Sequence, residues 1–146
     1  MTTPKRILVP TDFSDQSSRA LEWAKNLASV YGASLHLLTV VPEPFVLPDP
    51  GTFSVPLPSG YVDGLRRDAE AHLHAALSPA ERERLNARSA VLFGHPYGEI
   101  LDYATRERID LIVMGTHGRG ALGRAVLGSV AERIVRTAPC PVLTVR

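Results

Sequence analysis

Fifteen residues, GTHGRGALGRAVLGS from Gly115 to Ser129, hold five glycines, His117, Arg119 and Arg124, and no acidic residue. Glycine loses more conformational freedom on folding than any other residue, so such a cluster points to positive φ angles or to close approach of the backbone to another group. A pliable loop that carries cations suits an anion. Asp12, in VPTDFS, offers the opposite chemistry near the other end of the chain. Its carboxylate suits a hydroxyl-bearing group better than a phosphate, since like charges repel. An Asx-turn, or an N-cap shared with Ser14, explains the same residue without any ligand.

Known phosphate motifs can be tested against the loop. A P-loop requires GxxxxGK[ST], but GRAVLGS from Gly123 to Ser129 has serine where the lysine belongs, so the group that reaches the terminal phosphates is missing. The dinucleotide fingerprint GxGxxG is matched by Gly118, Gly120 and Gly123. It follows the fourth expected strand, however, and Leu143 stands about 20 residues on, where the ribose-binding acid should be. A third spacing remains: Gly115, two residues, Gly118, nine residues, then Gly128-Ser129. Gly115 and Gly118 let the chain turn with N–H groups facing inward, and Gly128-Ser129-Val130 return further N–H groups and a hydroxyl at a helix start.

This spacing, G-x2-G-x9-G-[ST], resembles the ATP-binding branch of the universal stress protein family. The carboxyl-terminal half, DLIVMGTHGRG through LGSVAERIVRTAPCPVLTVR, is similar to that family throughout. RILVPTDFSDQSSRALEWA is similar to its opening strand and helix, and FGHPYGEIL to its third strand and the helix after it. Pro42 to Asn86 is the least distinctive part. The resemblance implies one domain over residues 1–146, a doubly wound α/β fold with five parallel strands in the order 3-2-1-4-5 and helices on both faces. It implies ATP with Mg2+ or Mn2+. Pro10, Thr11, Asp12, Val40 or Val41, and Met114 would frame adenine and ribose, while Gly115, His117, Gly118, Arg119, Gly128, Ser129 and Val130 would address the phosphates. It also implies a homodimer through antiparallel contact of the last strand, Pro141–Val145, and a regulatory or sensing role in stress response.

Two other classes compete. One is an ATPase or nucleotidyl-transferring enzyme on a related fold; an adenylating relative would carry a glycine- and serine-rich loop after the first strand, and PTDFSDQS has no glycine. The other is a dimeric interaction protein without nucleotide, against which the intact glycine spacing counts. No carboxylate pair, Ser–His–Asp set or Cys–His pair falls at catalytic spacing. A hydrogen bond to phosphate suits His117 better than general acid catalysis. His72 and His74 lie two apart on an expected helix and face different ways. His36 alternates within a strand and reads as a packed histidine, and His95 before Pro96 as a helix cap.

The elements that must position these residues are legible from period and punctuation. RILV, SLHLLTVV, SAVLF, DLIVM and PVLTV are short, continuously apolar runs, as expected of parallel strands buried on both faces. Between them, Ala20, Leu21, Ala24, Leu27, Ala28 and Tyr31 form one helical stripe stopped by Gly32, with Trp23 at its edge and expected in the core. Pro96 suits a first helical turn. Val126, Val130 and Ile134 stack beside Leu127, Ala131 and Val135 in the last helix. YVDGLRRDAEAHLHAAL is a further expected helix, which SPAERERL extends or restarts. Six prolines between Pro42 and Pro58 exclude a strand or helix interior there.

The whole chain has 146 residues, 45% of them hydrophobic, and a formal net charge of +1, which supplies no global field for nucleic acid or a membrane surface. The arginines of DGLRRDAEAH and AERERLNAR alternate with acids, as on a solvated helix face. No apolar run approaches the roughly 18 residues of a membrane span. The single cysteine, Cys140, excludes an internal disulfide and any cysteine-based zinc cluster. A cytoplasmic protein fits these features.

Overall fold

The computed structural model describes residues 3–43, 57–117 and 128–146. Five strands pair in the order β3-β2-β1-β4-β5, every neighbour parallel. They are β1 (Arg6–Pro10), β2 (Ser34–Val41), β3 (Arg88–Phe93), β4 (Leu111–Gly115) and β5 (Val142–Val145). The helices are α1 (Asp15–Tyr31), α2 (Tyr61–Ala75), α3 (Pro79–Arg84), α4 (Pro96–Arg106) and α5 (Ser129–Thr137). The Pro42–Pro58 loop lies largely outside the described residues, as do Val126 and Leu127.

Each strand sends alternate side chains to opposite faces, and both faces are covered. Ile7, Val9, Leu35, Leu37 and Val113 pack with Ala20, Leu21, Ala24 and Ala28 of α1 and Leu73 of α2. Leu8, Leu38, Ile112 and Met114 pack with Ile100, Tyr103 and Ala104 of α4 and Ala131 and Ile134 of α5. The continuous apolar character of the strands therefore reflects two cores rather than one. After β1 the chain crosses one face through α1, and after β4 it crosses the other through α5. β1 and β4 are thus the place where the winding reverses, and their carboxyl ends flank a natural crevice.

Capping explains the helix limits. Ser14 accepts from Ser17 N and caps α1, while Gly32, at φ 64°, closes it in the left-handed conformation. Ser78 and Glu81 form a reciprocal capping box, so SPAERERL restarts as α3 rather than extending α2. Lys25 of α1 reaches Glu81 at 2.6 Å, and this hydrogen-bonded ammonium holds the Glu81 carboxyl down at about 2. His95 occupies the N-cap position of α4, but its side chain makes no capping hydrogen bond; Pro96 opens the helix without one.

Three expected core residues lie outside. Trp23 is 56% exposed, Tyr31 at the end of α1 43% and Val135 48%. The buried face of α1 is a narrow run of small residues, Ser17, Ala20, Ala24 and Ala28 with Leu21. At 100° per residue Trp23 points about 100° away from Ala24, beyond the reach of the sheet. In α5 the buried line runs through Ala131 and Ile134, with Val130 packed partly against it, and Val135 turns away.

His36 is a packed core histidine, 2% exposed, with Nδ1 at 2.9 Å from the Tyr103 hydroxyl. Burial, and then the charge of Arg88 on the neighbouring strand, push its pKa below the usual 6.5. The unfolded chain therefore binds a proton at pH values where the folded chain refuses it. Stability from this residue is full above about pH 6.5 and declines as pH falls below that value towards the folded pKa. The thermal midpoint should fall between pH 7.5 and 5.5, and fall less in the double variant His36→Leu/Tyr103→Phe, which removes both polar partners together. Equal decline in the two proteins would assign the acid sensitivity to other groups.

Candidate functional site

The ladder between β1 and β4 runs through Ile7↔Leu111 and Leu8↔Ile112, whereas β1 pairs with β2 from Arg6↔Ser34 to Pro10↔Leu38. Beyond Leu8 and Ile112 a cleft of about 640 Å³ opens at the carboxyl edge of the sheet. That volume lies within the roughly 300–1,000 Å³ of small-molecule sites. One end is apolar: Pro10, Leu38, Val40 and Met114 from the strands, Pro42 beyond β2, and Pro96 and Ile100 from α4. The other end is polar and made from Thr11, Asp12, Ser17, Thr116, His117 and the start of α5 at Gly128, Ser129 and Val130.

Of the residues singled out by sequence, Pro10, Thr11, Asp12, Val40, Met114, Gly115, His117, Gly128, Ser129 and Val130 line this one cleft. Val41 does not. It follows Val40 on β2 and so points to the opposite face of the sheet. Gly118 and Arg119 lie outside the described residues.

The Asp12 wall is rigid for local reasons. Thr11 N donates to Leu38 O at 2.8 Å, and Thr39 Oγ1 donates to Thr11 O at 2.9 Å, which ties the turn to β2. Asp12 Oδ1 accepts from Ser14 N at 3.0 Å, the Asx-turn expected of it, and Ser14 rather than Asp12 caps α1. Phe13 is held at φ 63°, unusual for a bulky residue, by this bond, by its own N–H to Thr11 Oγ1 at 3.0 Å, and by its ring against His72.

The opposite wall centres on Thr116, which is 3% exposed. Its N–H donates to Val145 O at 3.0 Å and its carbonyl accepts from Gly128 N at 2.6 Å. The Gly128 N–H is thus taken by the chain itself. Gly128 occupies the N-cap of α5 with no side-chain cap, so the first-turn N–H groups of Ser129, Val130 and Ala131 have no intrahelical partner. These donors, with the positive end of the helix dipole, line the polar end of the cleft.

Gly115 and Gly128 do not have positive φ angles; among the described glycines only Gly32, Gly60 and Gly94 do. Both serve close approach, but of the chain to itself. A Cβ on Gly115 would stand 3.1 Å from the Gln16 carbonyl carbon and 3.2 Å from Ser17 N, both in the backbone of α1. A Cβ on Gly128 would stand 3.0 Å from Thr116 O. Sequence reasoning also missed Gln16, whose Oε1 accepts from His117 N at 2.7 Å and from Thr116 Oγ1 at 3.3 Å. An amide side chain 100 residues away in sequence carries no local signal of such a role. Pro96 was legible as a helix start, but not as a wall of the cleft.

The fold and site define a class: a doubly wound α/β domain with an apolar-to-polar cleft at its switch point, closed at the polar end by a helix N-terminus. The chain belongs to the universal stress protein family, whose model matches residues 3–146. It is 38% identical over 144 residues to the universal stress protein MJ0531 of Methanocaldococcus jannaschii, covering 97% of this chain and 82% of that one. It is 40% identical over 143 residues to a universal stress protein of Thermus aquaticus, covering 97% and 98%. The structure of the universal stress protein UspA from Lactobacillus plantarum superposes with a TM-score of 0.78 at 28% identity, with full coverage of both chains.

The glycine geometry leads to a test that needs no ligand. Gly115→Ala should lower stability by about 1–3 kcal/mol, as overpacking does, because the atoms it meets are the α1 backbone and the Gln16 Cβ fixed to it, which cannot swing aside. Gly128→Ala should also destabilise, since Thr116 O must shift while keeping its bond to Gly128 N. Thermal unfolding of the nucleotide-free proteins checks both. Wild-type midpoints in both variants would show that these contacts do not select glycine.

Proposed function

We propose that the protein binds ATP in the cleft at the ends of β1 and β4 and serves as a regulatory or sensing module in the stress response. The observation that carries this reading is the juxtaposition of an apolar lining with the open first turn of α5 in one cavity. An adenine ring fits between Pro10, Val40 and Met114. Asp12 then stands at the ribose hydroxyls, and Ser129, Val130 and their N–H groups meet the phosphates. Gly118 and Arg119 extend the phosphate loop by the family spacing. Among the described residues no cluster of His, Cys, Asp and Glu could hold a metal alone. That donor set suits a Mg2+ or Mn2+ ion carried in by the triphosphate and liganded chiefly by phosphate oxygens and water.

Calorimetry with magnesium should show ATP binding tighter than AMP, and AMP tighter than adenosine, because the helix terminus addresses phosphate. Equal affinity for adenosine and ATP would remove the phosphate site from the reading. The N–H donors stabilise phosphate in ground and transition states alike, and such uniform binding does not speed chemistry. Phosphate release measured on the same samples should therefore stay well below the roughly 1–100 per second of kinases.

We further propose a homodimer built on β5. This strand lies at the edge of the sheet beyond β4, and its outer N–H and C=O groups invite an antiparallel copy across a two-fold axis. Light scattering at micromolar concentration should give twice the chain mass, and Thr144→Pro, which places a proline in the strand, should shift the population towards monomer. A full-length chain that is monomeric under these conditions would rule out the β5 interface.

A further inference from the structure

Beyond Leu8↔Ile112 the ladder between β1 and β4 ends, so sheet pairing no longer sets the spacing of the cleft walls. The first turn of α1 takes over that part. Towards the β1 wall, Ser14 N donates to Asp12 Oδ1 at 3.0 Å and Thr11 Oγ1 donates to Ser17 Oγ at 3.1 Å. Gln16 stands between these two serines in the chain and reaches the other way. Its Oε1 accepts from the His117 backbone N–H at 2.7 Å and from the Thr116 hydroxyl at 3.3 Å. An N–H needs an acceptor, which assigns the contacting atom as the amide oxygen. The Thr116 carbonyl accepts in turn from Gly128 N at 2.6 Å, at the N-cap of α5. One amide side chain thus joins the turn that follows Asp12 to the peptide that seats the first turn of α5. Gln16 does not itself line the cleft and braces its wall from behind.

We propose that Gln16 is a positioning residue that sets how much the phosphates of a nucleotide add to its binding. This rests on the ATP reading and names the residue that tunes it. The N–H groups of Ser129, Val130 and Ala131 favour a phosphate in full only if they already point at the place it occupies. Otherwise part of its binding free energy goes into ordering them. Without an acceptor at position 16, the His117 N–H and the Thr116 hydroxyl lose their shared partner. Thr116 is 3% exposed, so its hydroxyl cannot turn to water in place. The peptide between Thr116 and His117 then shifts, and Gly128 N follows the carbonyl it bonds. The nucleoside end is spared. Thr11 keeps its bonds to β2, Asp12 keeps Ser14 N, and Pro10, Val40 and Met114 stay in their strands. Glutamine suits the place because it is long enough to reach past the end of β4 and carries no charge that would oppose a phosphate.

The test has two readouts. In the free wild-type protein, nuclear magnetic resonance should show a hydrogen-bond scalar coupling between the His117 amide nitrogen and the Gln16 side-chain carbonyl carbon. Calorimetry with magnesium then compares ATP with adenosine in wild type and in Gln16→Met, which keeps the length of the side chain and removes its acceptor. ATP affinity should fall about tenfold, the scale of one hydrogen bond, while adenosine affinity stays within about twofold. A merely structural role would weaken both ligands together. Amide signals of Ser129, Val130 and Ala131 should move in the same variant, and those of Thr11 and Asp12 should stay in place. Equal loss for ATP and adenosine, no loss for either, or no coupling in the wild type would overturn the proposal while ATP binding itself stood. Absence of ATP binding to the wild type would overturn both readings. If Gln16→Met does not fold, the wild-type coupling and the same comparison in Gln16→Ala decide the matter.

Discussion

The first turn of α1 lies so closely against the end of β4 that a side-chain carbon between them would be crowded. An added Cβ at Gly115 would sit 3.1 Å from Gln16. That contact sets the height of α1 over the sheet, and the height sets what the helix can reach. Gln16 reaches the residues that follow β4 only because Gly115 admits it, and Ser17 reaches Thr11 Oγ1 at 3.1 Å on the other side of the cleft. The small residues along the buried stripe of α1 belong to the same constraint, since a bulkier stripe would lift the helix from the sheet. The cleft walls are in this sense spaced by a glycine whose absent side chain would point at α1.

Thr116 distributes the consequence. Its backbone joins β5 and the start of α5 at once, through Val145 O and Gly128 N, so three elements share one buried peptide. Each polar group on it is satisfied within the described chain, as burial at this depth requires. The first turn of α5 is then held in fixed relation to the end of β1, and its N–H groups stay directed at one volume. Electrostatic preorganisation of this kind needs no rearrangement when an anion enters.

Much of this could be read from the sequence, and the exceptions have physical causes. Continuous apolar runs fixed the strands within a residue at most ends, because burial on both faces of a parallel sheet leaves little room for polar alternation. Gly32 and Ser14 marked the limits of α1 through local backbone chemistry. Trp23 was misplaced because a six-residue apolar pattern does not show how narrow the contact with the sheet is. Val41 was offered beside Val40, although strand alternation allows only one of them to face the cleft. Gln16 was invisible: its partners lie a hundred residues away, and no period or turn signal encodes a contact of that range. The glycine spacing was legible as a pattern, but its packing cause at Gly115 required the third dimension.

The chain returns to the cleft at five separated places, near Asp12, Val40, Pro96, His117 and Ser129. Arg6 N donates to Asp110 across 104 residues, and Ile7 pairs with Leu111, so the two central strands are far apart in sequence. Contacts of such sequence separation form late, after loop closure has been met in entropy. A fragment ending before β4 lacks the Thr116 wall and the first turn of α5. On a ribosome, the pocket comes into being only when β4 and α5 have emerged, and a ligand that binds it selects molecules in which these elements are already in place.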